Sequence, residues 1–179
     1  MIVRDLQPAD SAAVRQLVTA AFADDGRVAD LAAALEARPD RPGVALVAEL
    51  DDEPVGLVQL SRGWVDAEIR LAEVLVLSPL GVLPTYQRRG VGRALCRSAL
   101  QRAEQLGAPA VFLEGDPGYY ARLGWQRAGA LGFSAPSTRI PDVAFQVFVL
   151  PAWQAWITGQ LVYNDTFWAF DCVGLRAES

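Results

Sequence analysis

The chain has 179 residues, 52% of them hydrophobic, and a formal charge of −5. That is long enough to bury a real core, and the length favours one domain. The acidic balance argues against nucleic-acid binding as the main activity, since no strongly basic tract offsets it. With no histidine in the sequence, a His-dependent triad and a His-ligated metal centre are both excluded. Cys96 and Cys172 lie far apart without metal-ligand spacing and read as reduced thiols of a cytoplasmic protein. The opening MIVRDLQPAD is acidic where a secretory signal would be basic, and no apolar stretch reaches membrane-spanning length.

In chain order, residues 2–6 read as a strand. Asp10 or Ser11 then caps a helix whose apolar positions Val14, Leu17, Val18, Ala21 and Phe22 follow helical spacing. A second amphipathic helix spans 27–37, with Val28, Leu31, Ala32 and Leu35 inward, and Pro39 and Pro42 end it. Strands at 44–50 and 54–62 flank the polar turn Asp51-Asp52-Glu53, an antiparallel hairpin. The β-leaning stretch 69–83 contains Pro79 and Gly81, which predict a break or a terminal bulge.

A helix follows over 90–106, with Val91, Ala94, Leu95, Ala99, Ala103 and Leu106 facing the core, stopped by Gly107 and Pro109. Next come a buried strand at 111–114, a short helix at 117–123 and a late strand at 144–150. Residues 151–179 form an aromatic-rich extension with Trp153, Trp156, Tyr163, Phe167, Trp168 and Phe170, read as core or subunit contact ahead of an acceptor pocket. No repeat or linker is visible. The elements predict a mixed α/β sheet with helices packed on it, in one domain over 1–179.

The most informative stretch is Val82-Leu83-Pro84-Thr85-Tyr86-Gln87-Arg88-Arg89-Gly90-Val91-Gly92-Arg93-Ala94-Leu95. A strand ends, a loop turns, and a helix begins at two glycines. The first turn of a helix carries unpaired N–H groups and the positive end of the macrodipole. Glycines there remove the Cβ atoms that would hold a phosphate away. Arg88, Arg89 and Arg93 add positive charge.

A P-loop would need Lys-Ser/Thr where Arg93-Ala94 stands. A dinucleotide fingerprint would need a third glycine at Leu95, although Glu114 lies at about the expected distance for its acidic residue. Gln87-Arg88-Arg89-Gly90-Val91-Gly92 meets in full the Gln/Arg-x-x-Gly-x-Gly/Ala pattern of a coenzyme A pyrophosphate loop. An ordinary arginine-rich helix start is the bland alternative.

The string LSPLGVLPTYQRRGVGRAL resembles the central motif of the GNAT N-acetyltransferase superfamily, and Tyr120-Ala121-Arg122-Leu123-Gly124-Trp125 is similar to that family's Tyr-x-x-x-Gly-Phe segment. The strand and aspartate-led helix from Arg4 to Phe22 fit its usual start, so the resemblance covers roughly residues 1–150. The short Gly115-Asp116-Pro117-Gly118-Tyr119-Tyr120 form resembles a subgroup of small bacterial members.

This resemblance implies a largely antiparallel sheet with helices on both faces. It also implies transfer of an acetyl group from acetyl-CoA to a small-molecule or peptide amine, with no metal, nucleic-acid or membrane partner. Backbone groups at Leu80 and Val82 would pair with the pantetheine arm, and the amides of Arg88, Arg89, Gly90, Val91, Gly92 and Arg93 would hold the pyrophosphate. An N–H near Val82 would stabilise the oxyanion.

Tyr120 takes the family's general-acid position, a phenol still protonated at neutral pH; Tyr119 is the neighbour to separate from it, and packing under the helix is the alternative role. Glu114 stands where some members carry a catalytic glutamate, against the reading of a solvated strand-end carboxylate. Glu73 and Asp116 are weaker candidates for the base. The segment between Glu114 and Tyr120 lacks the family's usual asparagine, which puts one coenzyme contact in question. A non-catalytic acyl-CoA sensor is the second class of reading, a dinucleotide-dependent oxidoreductase the third. The acceptor amine and a homodimer are left open.

Overall fold

The computed structural model describes residues 1–174, and the chain divides into two compact units, 1–61 with 77–102 and 62–76 with the residues from 103 onward. The fold is mixed α/β.

In the first unit, β1 (Ile2–Asp5) pairs antiparallel with β2 (Val44–Leu50). Between them lie α1 (Ser11–Phe22) and α2 (Arg27–Glu36). Asp10 stands at the N-cap of α1 without capping it. Its carboxylate is taken by the Arg4 guanidinium and by the Gln7 amide, while the Ser11 hydroxyl donates to Pro8 O. Strand β2 turns through Asp51 and Asp52, both at positive φ (51° and 63°), as a two-residue hairpin turn requires. It returns as β3 (Glu53–Asp66), pairing Leu50 with Glu53.

Strand β3 runs past the predicted residue 62. Strand β4 (Leu71–Val82) is continuous, so Pro79 and Gly81 do not break it: Pro79 is buried within it, after a cis peptide bond from Ser78. Gly81 is needed for closeness, because a Cβ there would stand 3.3 Å from Ala21 and Phe22 of α1. Helix α3 (Val91–Gln105) starts in this unit.

The helices cover both faces of the first unit's sheet. Leu57 packs with Val14, Leu17, Val18, Ala29 and Ala32 of α1 and α2. Its neighbour Gly56 points the opposite way, as alternation along a strand demands, and a Cβ there would stand 2.8 Å from Leu95 of α3. Each fully buried Leu or Val contributes about 1.5–3 kcal/mol, which explains why the apolar face of each helix was readable.

In the second unit, the first part of β4 pairs in parallel with β5 (Ala110–Glu114) through Leu75↔Val111 and Val76↔Phe112. The short helix α4 (Pro117–Tyr120) follows, then a 3₁₀ turn at Ala121–Leu123. Two-residue strands β6 (Gln126–Arg127) and β7 (Phe133–Ser134) come next. Strand β8 (Phe145–Val149) pairs antiparallel with β5 and β6.

The aromatic extension supplies β9 (Gly159–Tyr163), antiparallel to the end of β3 and parallel to β7, and then α5 (Asp165–Ala169). Its Tyr163 and Phe167 are core, whereas Trp168 is 45% exposed. Phe112, Phe133 and Phe145 form an aromatic cluster beside β5, with centroids 4.9 and 5.7 Å from Phe112.

Candidate active site

The turn after β4 is built to present backbone amides. Leu83 N donates to Val55 O (3.0 Å), and residues Pro84–Tyr86 make one 3₁₀ turn. Gln87 then reaches back, its side-chain amide donating to Val82 O at 3.1 Å. Arg88 (φ 60°) and Gly90 (φ 85°) are both left-handed, and such alternation makes a concave nest of N–H groups. A Cβ built on Gly90 meets nothing within 4 Å, so no neighbouring side chain fills the space beside it. Ala94 N donates to Gly90 O (3.0 Å); by helix geometry, the amides of Val91, Gly92 and Arg93 have no carbonyl partner within α3.

Arg88, Arg89 and Arg93 are exposed, and none enters the ion pairs found among the described residues. Arg89 lies over the Tyr86 ring, 5.4 Å from its centroid. The result is a local cationic, amide-lined turn in an acidic protein, with the chemistry to hold a diphosphate. Leu80 and Val82 stand half-buried at the end of β4.

In the second unit, Glu114 ends β5, half-buried and paired. Tyr163 Oη donates to its Oε1 (2.9 Å) and Gly174 N to its Oε2 (3.0 Å). Burial pushes this carboxyl above the ordinary glutamate value; the two donors and the nearby Arg139 oppose that rise. Burial, and then the Glu114 charge, push the Tyr163 hydroxyl well above its ordinary value, so it stays protonated and donates. Tyr163, Arg139 and Gly174 were not read as site residues. They lie far along the chain from Glu114, and nothing local to β5 points to them.

Tyr120 closes α4. Its ring meets Tyr119 edge-on at 4.9 Å and Trp125 at 5.8 Å. Gly115 lacks a side chain because a Cβ there would run into the Tyr120 ring. Gly124 is left-handed (φ 90°) and ends the 3₁₀ turn, and Trp125 N donates to Tyr120 O (3.2 Å). The Tyr-x-x-x-Gly-Trp spacing thus has a physical reason: the glycine reverses the chain so that the buried tryptophan returns against the tyrosine.

The weaker candidates have other partners. Asp116 accepts from Gly118 N (2.8 Å) as the N-cap of α4, and Glu73 pairs with Arg62 at 2.9 Å.

Residues 11–125 match the Acetyltransferase (GNAT) family. The uncharacterized N-acetyltransferase YjhQ of Escherichia coli is 32% identical over 128 residues, which is 71% of this chain and 71% of that protein. The crystal structure of the GNAT family N-acetyltransferase YhbS from Escherichia coli, in complex with CoA, superposes with a TM-score of 0.81 at 25% identity, covering 93% of this chain and 91% of that one. A GNAT family acetyltransferase from Brucella melitensis in complex with acetyl-CoA gives 0.74 at 26% identity, covering 93% and 97%. With its cationic glycine turn and tyrosine-tryptophan segment both inside the matched region, the chain belongs to the GNAT acetyltransferase family.

Proposed function

We propose that this enzyme transfers an acetyl group from acetyl-CoA to a primary amine by direct attack within a ternary complex. The observation that carries the reading is the turn at 88–93: two left-handed residues, three exposed arginines outside the ion pairs described, and helix-start amides without an intrahelical partner. The pyrophosphate of the coenzyme would lie on these amides, and the pantetheine arm would pair with backbone at Leu80 and Val82. The complexes of the YhbS and Brucella proteins with CoA and acetyl-CoA support that reading.

An ammonium gives one proton to a base, for which Glu114 is the candidate. The free amine nitrogen attacks the thioester carbon, and the C–N bond forms. The tetrahedral oxyanion collapses, the C–S bond breaks, and the thiolate takes a proton from Tyr120; the second proton of the attacking nitrogen passes through solvent to restore the Tyr120 phenol, and Glu114 releases the first. An aliphatic amine is mostly protonated at neutral pH, so the first step has to be assisted. A buried carboxylate whose proton affinity is raised is better suited to it than a solvated one.

Two measurements test the proposal. Thermal-shift scans with acetyl-CoA, CoA and NAD should show stabilisation by the first two only. Turnover against a panel of primary amines and N-terminal peptides, read by release of free thiol, should reveal an acceptor. Binding of acetyl-CoA with no thiol release on any member would favour a sensor over an enzyme.

A further inference from the structure

We propose that Tyr163 is a positioning residue for proton removal: its hydroxyl on Oε1, with the Gly174 amide on Oε2, fixes the Glu114 carboxylate in one orientation. The inference rests on the reading of Glu114 as the base and adds the residues that make it one.

The geometry is specific. Tyr163 is 5% exposed, seated by its β9 register opposite Gly63 and by the Phe167 ring 4.7 Å away. The Asn164 side chain then ties the same stretch to Arg62 O at 2.9 Å. At the other carboxylate oxygen, the Gly174 amide is held by its neighbour Val173, whose carbonyl accepts from Arg139 Nη2 at 2.8 Å. An ionised carboxylate has about four lone-pair sites. The two donors occupy two of them and leave the others for a proton from substrate. The charged groups acting on Glu114 are Arg139 and, when ionised, Tyr163.

Both donors favour the ionised carboxylate against its burial. Removing the Tyr163 hydroxyl therefore raises the pH at which Glu114 takes up a proton. Activity that needs ionised Glu114 falls as pH drops through that value, so the acid limb of the rate profile moves to higher pH.

The experiment compares wild type, Tyr163→Phe, Glu114→Gln and the double variant, using acetyl-CoA with the amine turned over fastest in the panel. Acetyl-CoA affinity is measured alongside, and Glu114 is titrated by carboxyl-carbon NMR. Tyr163→Phe keeps the ring against Phe167 and should move both the acid limb and the titration about one pH unit upward, the scale of one hydrogen bond to a charged group. Affinity for acetyl-CoA should not change, and the double variant should match Glu114→Gln. Site-specific replacement of Tyr163 by 3,5-difluorotyrosine, a stronger donor, should move the limb the other way. If Tyr163→Phe leaves the limb in place while Glu114→Gln shifts or abolishes it, the positioning role is refuted and the base survives. If Glu114→Gln keeps the wild-type profile, the base assignment fails, and the positioning role with it.

Discussion

The Gln87 side-chain amide donates to the backbone carbonyl of Val82 at 3.1 Å, bridging the end of β4 to the loop that precedes the left-handed Arg88. The Gln87 side chain thus ties the loop back to the strand it leaves, through the Val82 carbonyl. Gln87→Leu removes one exposed neutral hydrogen bond, with a net contribution of about 0.5–1.5 kcal/mol. Expressed as loosened preorganisation, that loss should weaken acetyl-CoA binding roughly 2- to 10-fold. Calorimetry measures it, with circular dichroism expected to be unchanged. Wild-type affinity in the variant would mean the bridge does not shape the site.

Gly90 and Gly107 form a natural pair for testing the turn. Both are left-handed, at φ 85° and 73°, and a Cβ on either meets nothing within 4 Å. Gly90→Val and Gly107→Val should therefore carry similar backbone strain, on the order of 1–2 kcal/mol each, and similar falls in melting temperature. Only Gly90→Val adds a side chain on the turn proposed for the pyrophosphate, so it alone should lose acetyl-CoA affinity, by at least about tenfold. Equal affinities in the two variants would sink the assignment of the turn.

Arg4 stands between two carboxylates, bidentate on Asp10 at 2.7 and 2.9 Å and 2.6 Å from Glu49. The hydrogen bond from Arg4 holds Asp10 below its ordinary value, with the Gln7 amide helping against burial. A depressed carboxyl stabilises the fold above its unfolded value, about 3.9, and that stability drains away as pH falls through the folded value. Arg4→Met should cost about 1–3 kcal/mol at pH 7, and its difference from wild type should shrink below about pH 4 as the carboxylates protonate. Urea melts across pH 3–7 check this, with Asp10 as the group whose titration carries the pH dependence. A difference that is flat with pH would show the loss to be packing alone.

Local signals were readable and long-range ones were not. The glycine turn lies within one continuous stretch, so its glycines, arginines and helix start could be assembled from neighbours in sequence, whereas the left-handed backbone of Arg88 could not. The Tyr-x-x-x-Gly-Trp segment was legible for the same reason. Strand β9 and helix α5 were read only as an aromatic extension, because five-residue elements carry too little periodicity to stand out. The surroundings of Glu114 depend on partners 49 and 60 residues away; Tyr163 is placed by the register of β9 on β3 and Gly174 lies beyond that strand. Pro79 misled only as to a break: a proline in a strand interior removes a ladder donor, yet here it sits buried within a continuous β4.

Tyr120 and Tyr119 separate catalysis from packing. The two rings meet edge-on in the same aromatic group, 4.9 Å apart. Tyr120 also packs on Trp125 and over Gly115, so its ring has a structural duty that phenylalanine would retain. Tyr120→Phe removes only the hydroxyl. If that hydroxyl protonates the departing thiolate, kcat should fall by ~10²–10⁴, the usual contribution of a general acid, toward the lower end because a thiolate leaves readily. Acetyl-CoA affinity should hold within about twofold, since the proton is needed only as the C–S bond breaks. Tyr119→Phe is the matched control and should keep most of its activity, its ring being 37% exposed. The measurements are kcat and acetyl-CoA affinity for both variants. A Tyr120→Phe enzyme as fast as wild type would leave Tyr120 as a packing residue, and equal losses in the two variants would point to disturbed stacking in place of acid catalysis.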